Sequence, residues 1–213
     1  MTYETEEEQV EKIKELWKKH GVPLLTGVVI ALAGVFGWQG WNNYQDGKAA
    51  EASALYQSML EAVLAGDGTE DRARGAELAE QIREQYSGTR YAQFAAMMQA
   101  RLAVEAEDLP AAEQLLSELV ADAGDPVLEE VARQRLARVL AAQDRAEEGL
   151  DVLTGEVSGA LLASREEIRG DLLLALDRES EARSAYQAAL TALEDPQARP
   201  QLQLKLDDLA EEA

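Results

Sequence analysis

The chain has 213 residues, with 20 Lys and Arg against 41 Asp and Glu, a formal net charge of −21, and 46% hydrophobic content. That acidity excludes a binder of nucleic-acid backbone, which needs clustered cations, and the apolar content excludes a disordered chain. With no cysteine and one histidine, His20, thiol chemistry, disulfides and polyhistidine metal sites fall away. No catalytic residue, metal site or cofactor is expected, and the chain reads as a non-enzyme.

Residues 1–20 form a charged leader. Val10, Ile13, Leu16 and Trp17 recur at helical spacing, and Glu8/Lys12 and Glu15/Lys19 are i,i+4 pairs. This predicts an amphipathic helix that either lies on the cytoplasmic membrane surface or docks a cytoplasmic partner. His20, next to Lys19, fits an interfacial position.

From Gly21 through Gln45 there is no charged residue, and the run is strongly apolar. At ~1.5 Å per residue it is long enough to cross a hydrocarbon core of ~30 Å. Trp17 precedes it, and Trp38, Trp41 and Tyr44 close its far end, where amphipathic rings favour the headgroup layer. Pro23 falls in the first turn, where its missing N–H does no harm. Lys12, Lys14, Lys18 and Lys19 precede the run and only Lys48 follows closely, so the N-terminus is expected in the cytoplasm. The run exceeds the length of a signal-peptide core, so an uncleaved anchor over 21–45 is expected. Gly27, Ala31 and Gly34 share one face of this helix, a spacing that lets another helix approach closely in lipid.

Residues 46–213 change to Ala, Glu, Leu, Arg and Gln at 3.6-residue apolar spacing, with a net charge of −19. Short turn signals at 66–68, 87–88, 108–110, 124–126, 155–159 and 195–196 divide them into helices. Comparison at a period near 34 residues aligns Gly170, Leu173, Ala182, Tyr186 and Ala189 with the tetratricopeptide pattern. Leu136, Ala146, Leu150 and Leu153 fall in register one unit earlier, and Ala100, Leu102, Ala112, Leu116 and Leu119 one unit before that. Three units are predicted at about 93–126, 127–160 and 163–196, preceded by a poorly fitting helix pair at 46–88 and followed by a polar capping helix at 197–213. Gln134 departs from the pattern where a small residue is expected. The fold class is thus all-α: one N-terminal membrane helix and a tetratricopeptide-like solenoid.

In such hairpins the second, fifth, ninth and twelfth positions of the first helix face a concave groove. These include Phe94, Met97, Arg101, Val104, Leu128, Val131, Arg135, Arg138 and Leu174. Three arginines therefore converge in an acidic domain, either to bind a partner segment or to pair with neighbouring carboxylates. The carboxylate pairs Glu129/Glu130 and Glu147/Glu148 read as solvated helix faces rather than as a catalytic pair.

The opening YETEEEQVEKIKELWKKHG, the glycine-rich run ending GWQGWNNYQ and the following KAAEASALYQSMLEAV resemble, together and over nearly the full length, one family. It is the family of ancillary subunits of the bacterial SecYEG translocon, tetratricopeptide-type proteins of the inner membrane. The resemblance implies a scaffold with its C-terminal domain in the periplasm. It implies partnership with the translocon and with a membrane-anchored, prolyl-isomerase-like periplasmic chaperone, and handover of newly translocated client proteins to periplasmic chaperones. It also implies a link, through the leader, to a cytoplasmic stress-response regulator. It brings no catalytic residue. The alternative is a tetratricopeptide scaffold for another envelope-assembly or cell-division complex.

Overall fold

The computed structural model of the chain describes residues 6–65, 68–157, 159–193, 195 and 199–211, and every element among them is α-helical. The expected turn residues Gly66, Asp67, Ser158 and Pro196 lie outside the described residues. The chain divides into two compact units, Met1–Glu51 and Ala52–Ala213.

Helix α1 runs Glu6–Ala65 with Pro23 inside it, and so contributes to both units. Among the described residues no single helix is long and apolar enough to cross a membrane. The segments Gln9–Pro23 and Leu25–Ala65 meet that requirement only as a pair, bent by 44°. The bend follows from Pro23, whose ring clashes with the preceding turn and whose nitrogen donates no hydrogen bond. It cuts the apolar run that the sequence presents as continuous.

In the second unit, α2 (Thr69–Gln85) packs on the last turns of α1 and on α3 (Arg90–Glu105), with Met59, Ala79, Ile82, Ala92 and Ala95 buried between them. Three hairpins follow: α3 with α4 (Leu109–Ala121), α5 (Pro126–Ala142) with α6 (Ala146–Val152), and α7 (Gly159–Ala175) with α8 (Glu179–Thr191). Helix α9 (Pro200–Glu211) lies on α8. It is less polar than its sequence suggested, since Leu202 and Leu209 are buried against Tyr186 and Ala189.

All three hairpins turn in the same way. Glu107, Asp144 and Asp177 each adopt a left-handed conformation, with φ of 60°, 60° and 58°. The following amides donate back to Ala103, Leu140 and Leu173 at 2.9 Å in each case, which terminates the first helix and starts the second. Start signals agree: the Asp108 carboxylate accepts from the Ala111 amide at 3.1 Å, and that of Asp125 from Val127 at 2.9 Å. Helix α6 has only 7 residues, and the chain beyond it passes through Gly155 at φ 87°.

Small residues sit where helices cross. In the last hairpin Ala182 and Ala189 are fully buried beside Tyr186. In the middle one, a Cβ on Gly149 would meet the Ala137 carbonyl oxygen at 2.9 Å, so only glycine fits there without movement.

Candidate functional site

In the first unit, the stretch of α1 from Leu25 to Trp38 exposes apolar side chains on all sides, among them Val28, Val29, Ile30, Leu32, Val35, Phe36 and Trp38. A helix apolar all round has no partner face in water. Gly27, Ala31 and Gly34 lie on this limb, and a Cβ placed on either glycine would meet no atom within 4 Å. The Trp41 and Tyr44 rings lie 6.2 Å apart, tilted by 41°, and the Lys48 ammonium lies 5.1 Å from the centre of the Tyr44 ring.

In the second unit, α3 and α5 run side by side in the same direction. Arg90, at the start of α3, pairs with the cap residue Asp125 of α5 at 2.9 Å. At their other ends the two helices share a cleft of about 370 Å³. Arg101, Val104, Arg135 and Arg138 line it over an apolar floor of Leu109, Leu116, Val139 and Ala142. Four of the expected groove residues are therefore brought together.

The arginines divide by partner. Arg101 pairs with Glu105 at 2.7 Å, whereas among the described residues Arg135 and Arg138 have no carboxylate within ion-pair distance. Desolvation, and then the charges of Arg138 and Arg101, hold the Arg135 guanidinium below the usual arginine value. The local environment thus disfavours bare positive charge and would be relieved by an anion.

The other expected residues fall differently. Phe94 is exposed and stands over Tyr56 and Tyr91, with ring centres at 6.1 and 6.4 Å. Leu128 and Val131 are half-buried against the core beneath α5. Leu174 is exposed on α7, one hairpin further along, and does not line the cleft. Met97 is a correction: it is only 7% exposed and belongs to the core rather than to a groove wall. Its neighbour Met98 is the half-exposed residue, because the outer face of α3 steps 94, 98, 101, 105 with the helical repeat.

A second correction concerns Glu130. It is not on a solvated face: Glu130, Gln134 and Arg165 are 5%, 5% and 6% exposed. The Arg165 guanidinium forks onto both carboxylate oxygens of Glu130, its Nε donating to Oε1 at 2.8 Å. Gln134 donates to the same carboxylate at 2.7 Å and to the Leu161 carbonyl at 3.0 Å, and Arg165 donates to the Gly155 carbonyl at 2.6 Å. This network joins α5 to α7. The signal for it was present, since Gln134 occupies a position where the repeat expects a small residue.

Other charges tie successive hairpins together on the surface. Glu113 accepts from Arg145 at 2.7 Å and from Gln143 at 2.9 Å, which holds its carboxyl below the usual value. Arg83 reaches Glu118 at 3.1 Å across the preceding junction.

Compared with known proteins, residues 14–211 match the model of the tetratricopeptide repeat-like domain. A protein of Escherichia coli strain K12 named ancillary SecYEG translocon subunit is 31% identical over 211 residues, covering 98% of each chain. Relatives with the same name from Haemophilus influenzae and Aggregatibacter actinomycetemcomitans are 30% and 32% identical, each match covering 89% of this chain and 91% of the relative. Helical hairpins with a shared turn, a repeat-like match over almost the whole length and relatives of one name at this identity lead to one assignment: the chain belongs to the family of ancillary SecYEG translocon subunits, built on a tetratricopeptide repeat-like domain.

Proposed function

We propose that this protein is a membrane-tethered adaptor of the Sec translocon that works by protein–protein contact and catalyses nothing. Residues 1–20 form the cytoplasmic leader, 21–45 an uncleaved inner-membrane span, and 46–213 a periplasmic domain of hairpins at about 93–126, 127–160 and 163–196 with a cap at 197–213. The lysines ahead of the apolar run and the unburied side chains of α1 support that topology. A bend of 44° is compatible with a span, because lipid-embedded helices tolerate proline kinks.

The observation that carries the reading is the near full-length likeness to relatives named for the translocon. The Gly27, Ala31 and Gly34 face is the surface for a translocon helix. The groove of Phe94, Arg101, Val104, Leu128, Val131, Arg135, Arg138 and Leu174 receives a segment of a partner, either the membrane-anchored prolyl-isomerase-like chaperone or a translocating client. Handover of clients to periplasmic chaperones, and contact of the leader with a stress-response regulator, complete the proposal.

Site-directed photocrosslinking tests it. Photoreactive residues at positions 31 and 138 of the full chain in membranes should yield translocon subunits from the first and periplasmic or translocating proteins from the second. A reporter fused to the C-terminus that scores as cytoplasmic would overturn the topology. Absence of translocon products from position 31 would overturn the span contact.

A further inference from the structure

The groove between α3 and α5 has two chemically distinct ends. Near the start of α3, Phe94 rises over Tyr56 and Tyr91, an aromatic platform with one exposed ring. Near the ends of the helices lie Arg135 and Arg138, which lack carboxylate partners among the described residues, beside Arg101 and its partner Glu105. Phe94 and Arg101 are two helical turns apart on the same side of α3, and Arg101 shares the cleft with Arg135 and Arg138, so the two ends follow one another along that helix.

We infer that this groove reads a two-part segment of a partner polypeptide: an apolar or aromatic residue seated on Phe94 and Tyr91, and a pair of carboxylates held by Arg135 and Arg138. The inference rests on reading the groove as a partner-binding surface and specifies what it selects. Charge complementarity commits it to an acidic occupant, since among the described residues Arg135 and Arg138 are groove cations without an anion. Planar guanidiniums fork onto carboxylates, and the apolar floor of Leu109, Leu116 and Val139 accepts the methylenes of glutamate.

The spacing follows from helix geometry. Phe94 and Arg101 are seven residues apart on α3, or about 10 Å at ~1.5 Å per residue. Arg135 and Arg138 face Arg101 across the cleft from the neighbouring helix, and an extended peptide advances ~3.3 Å per residue, so anchor and acids stand about three to four residues apart. The domain's net charge of −19 opposes an acidic peptide at long range. Selection is therefore made at contact, inside a screening length of ~8 Å at physiological salt, rather than by steering.

The test uses the full-length protein in detergent micelles and blocked, fluorescein-labelled peptides about ten residues long, read by anisotropy at ~0.15 M salt. The lead peptides carry Phe-Ser-Ser-Glu-Glu or its reverse in a Gly/Ser background. One control places Phe next to the glutamates, and another replaces both glutamates by Gln. The better lead should bind at least about tenfold tighter than either control. Phe94→Ala should erase the preference over the spacing control, and joint Arg135→Gln and Arg138→Gln should erase the preference for Glu over Gln. Phe94→Leu serves if Phe94→Ala loses helicity. Equal binding of the spacing control overturns the two-part inference, while the groove reading stands if the arginine variants still weaken binding. Indifference to both peptide charge and the arginine variants overturns the groove reading too, and no binding by any peptide overturns the inference.

Discussion

The Tyr186 ring lies directly against the Cα of Gly170, so a Cβ at position 170 would fall inside its van der Waals envelope, only 2.8 Å from Cζ. The ring is pinned: Tyr186 is fully buried, and its hydroxyl donates to the Asp171 carboxylate at 2.8 Å. Gly170 therefore sets the closeness of α7 and α8. Gly170→Ala should destabilise the domain by about 1–3 kcal/mol through overpacking, more than offsetting the gain in helix propensity. Urea unfolding should show this, and the cost should shrink in Gly170→Ala with Tyr186→Leu relative to the sum of the singles. An additive cycle would mean that the ring is not what the methyl meets.

Arg165 and Glu130 give a second test, because they are charged and buried together. Arg165→Met leaves the Glu130 carboxylate without its principal partner and should cost about 3–5 kcal/mol. Replacing both, with Glu130→Leu and Arg165→Met, should restore much of that loss, since two apolar residues leave no buried charge. If the single substitution costs no more than an ordinary surface change, the pair is solvated in solution.

The attachment of α9 should depend on pH. The Lys205 ammonium donates to Glu167 at 3.1 Å and to Asp171 at 2.6 Å, and Arg199 donates to Glu167 at 2.7 Å. Burial pushes the Glu167 carboxyl up, but Lys205 and then Arg199 outweigh it and hold the group below its ordinary value. A carboxylate depressed in the folded state contributes stability above its unfolded value, ~4.3, and loses it as pH falls through the folded one. Burial pushes the Lys205 ammonium down, but Asp171 and Glu167 together outweigh it and hold the group above its ordinary value, so its contribution is lost only as pH rises beyond ~10. Amide exchange at residues 200–211, corrected for intrinsic rates, should speed up as pH falls below about 5 before exchange in α3 and α5 does. Lys205→Met should remove most of that difference. Parallel loss of protection in all helices would rule out a locally pH-sensitive cap.

The helical class was legible because its signals are local. Apolar residues at 3.6 spacing, the turn signals at 108–110 and 124–126, and alanines at 182 and 189 each act within a turn or two of chain. What escaped the sequence depends on contacts across hairpins. The burial of Glu130 requires Arg165, thirty-five residues away, and a charged pair in sequence looks the same whether solvated or enclosed. The exchange of Met97 for Met98 has a simpler origin: two adjacent methionines differ by 100° around the helix, and only packing against Ala100 and Leu116 tells which one points inward. The bend at Pro23 was likewise hidden, because a proline in the first turn of a separate helix and one in the middle of a longer helix have the same sequence. The structure continues the leader into the apolar run, which moves Pro23 from a harmless position to a kinking one.

The proposed span contact yields the last prediction. Without a hydrophobic drive between helices in lipid, association depends on how closely backbones approach, and glycine allows the closest approach. A Cβ at either Gly27 or Gly34 is unopposed within the chain itself, so enlarging these positions should not disturb its fold. Joint Gly27→Leu and Gly34→Leu raises apolarity and so should preserve insertion, while filling the shallow face on which a second helix would rest. Co-purification with translocon subunits from detergent-solubilised membranes should fall severalfold, with the helicity and unfolding midpoint of residues 52–213 unchanged. The paired control Val28→Leu and Val35→Leu, on a different face of the same helix, should leave recovery intact. Equal recovery from both double variants would place the translocon contact elsewhere than the Gly27 and Gly34 face. Equal loss would assign the effect to the bulk of the span rather than to that face.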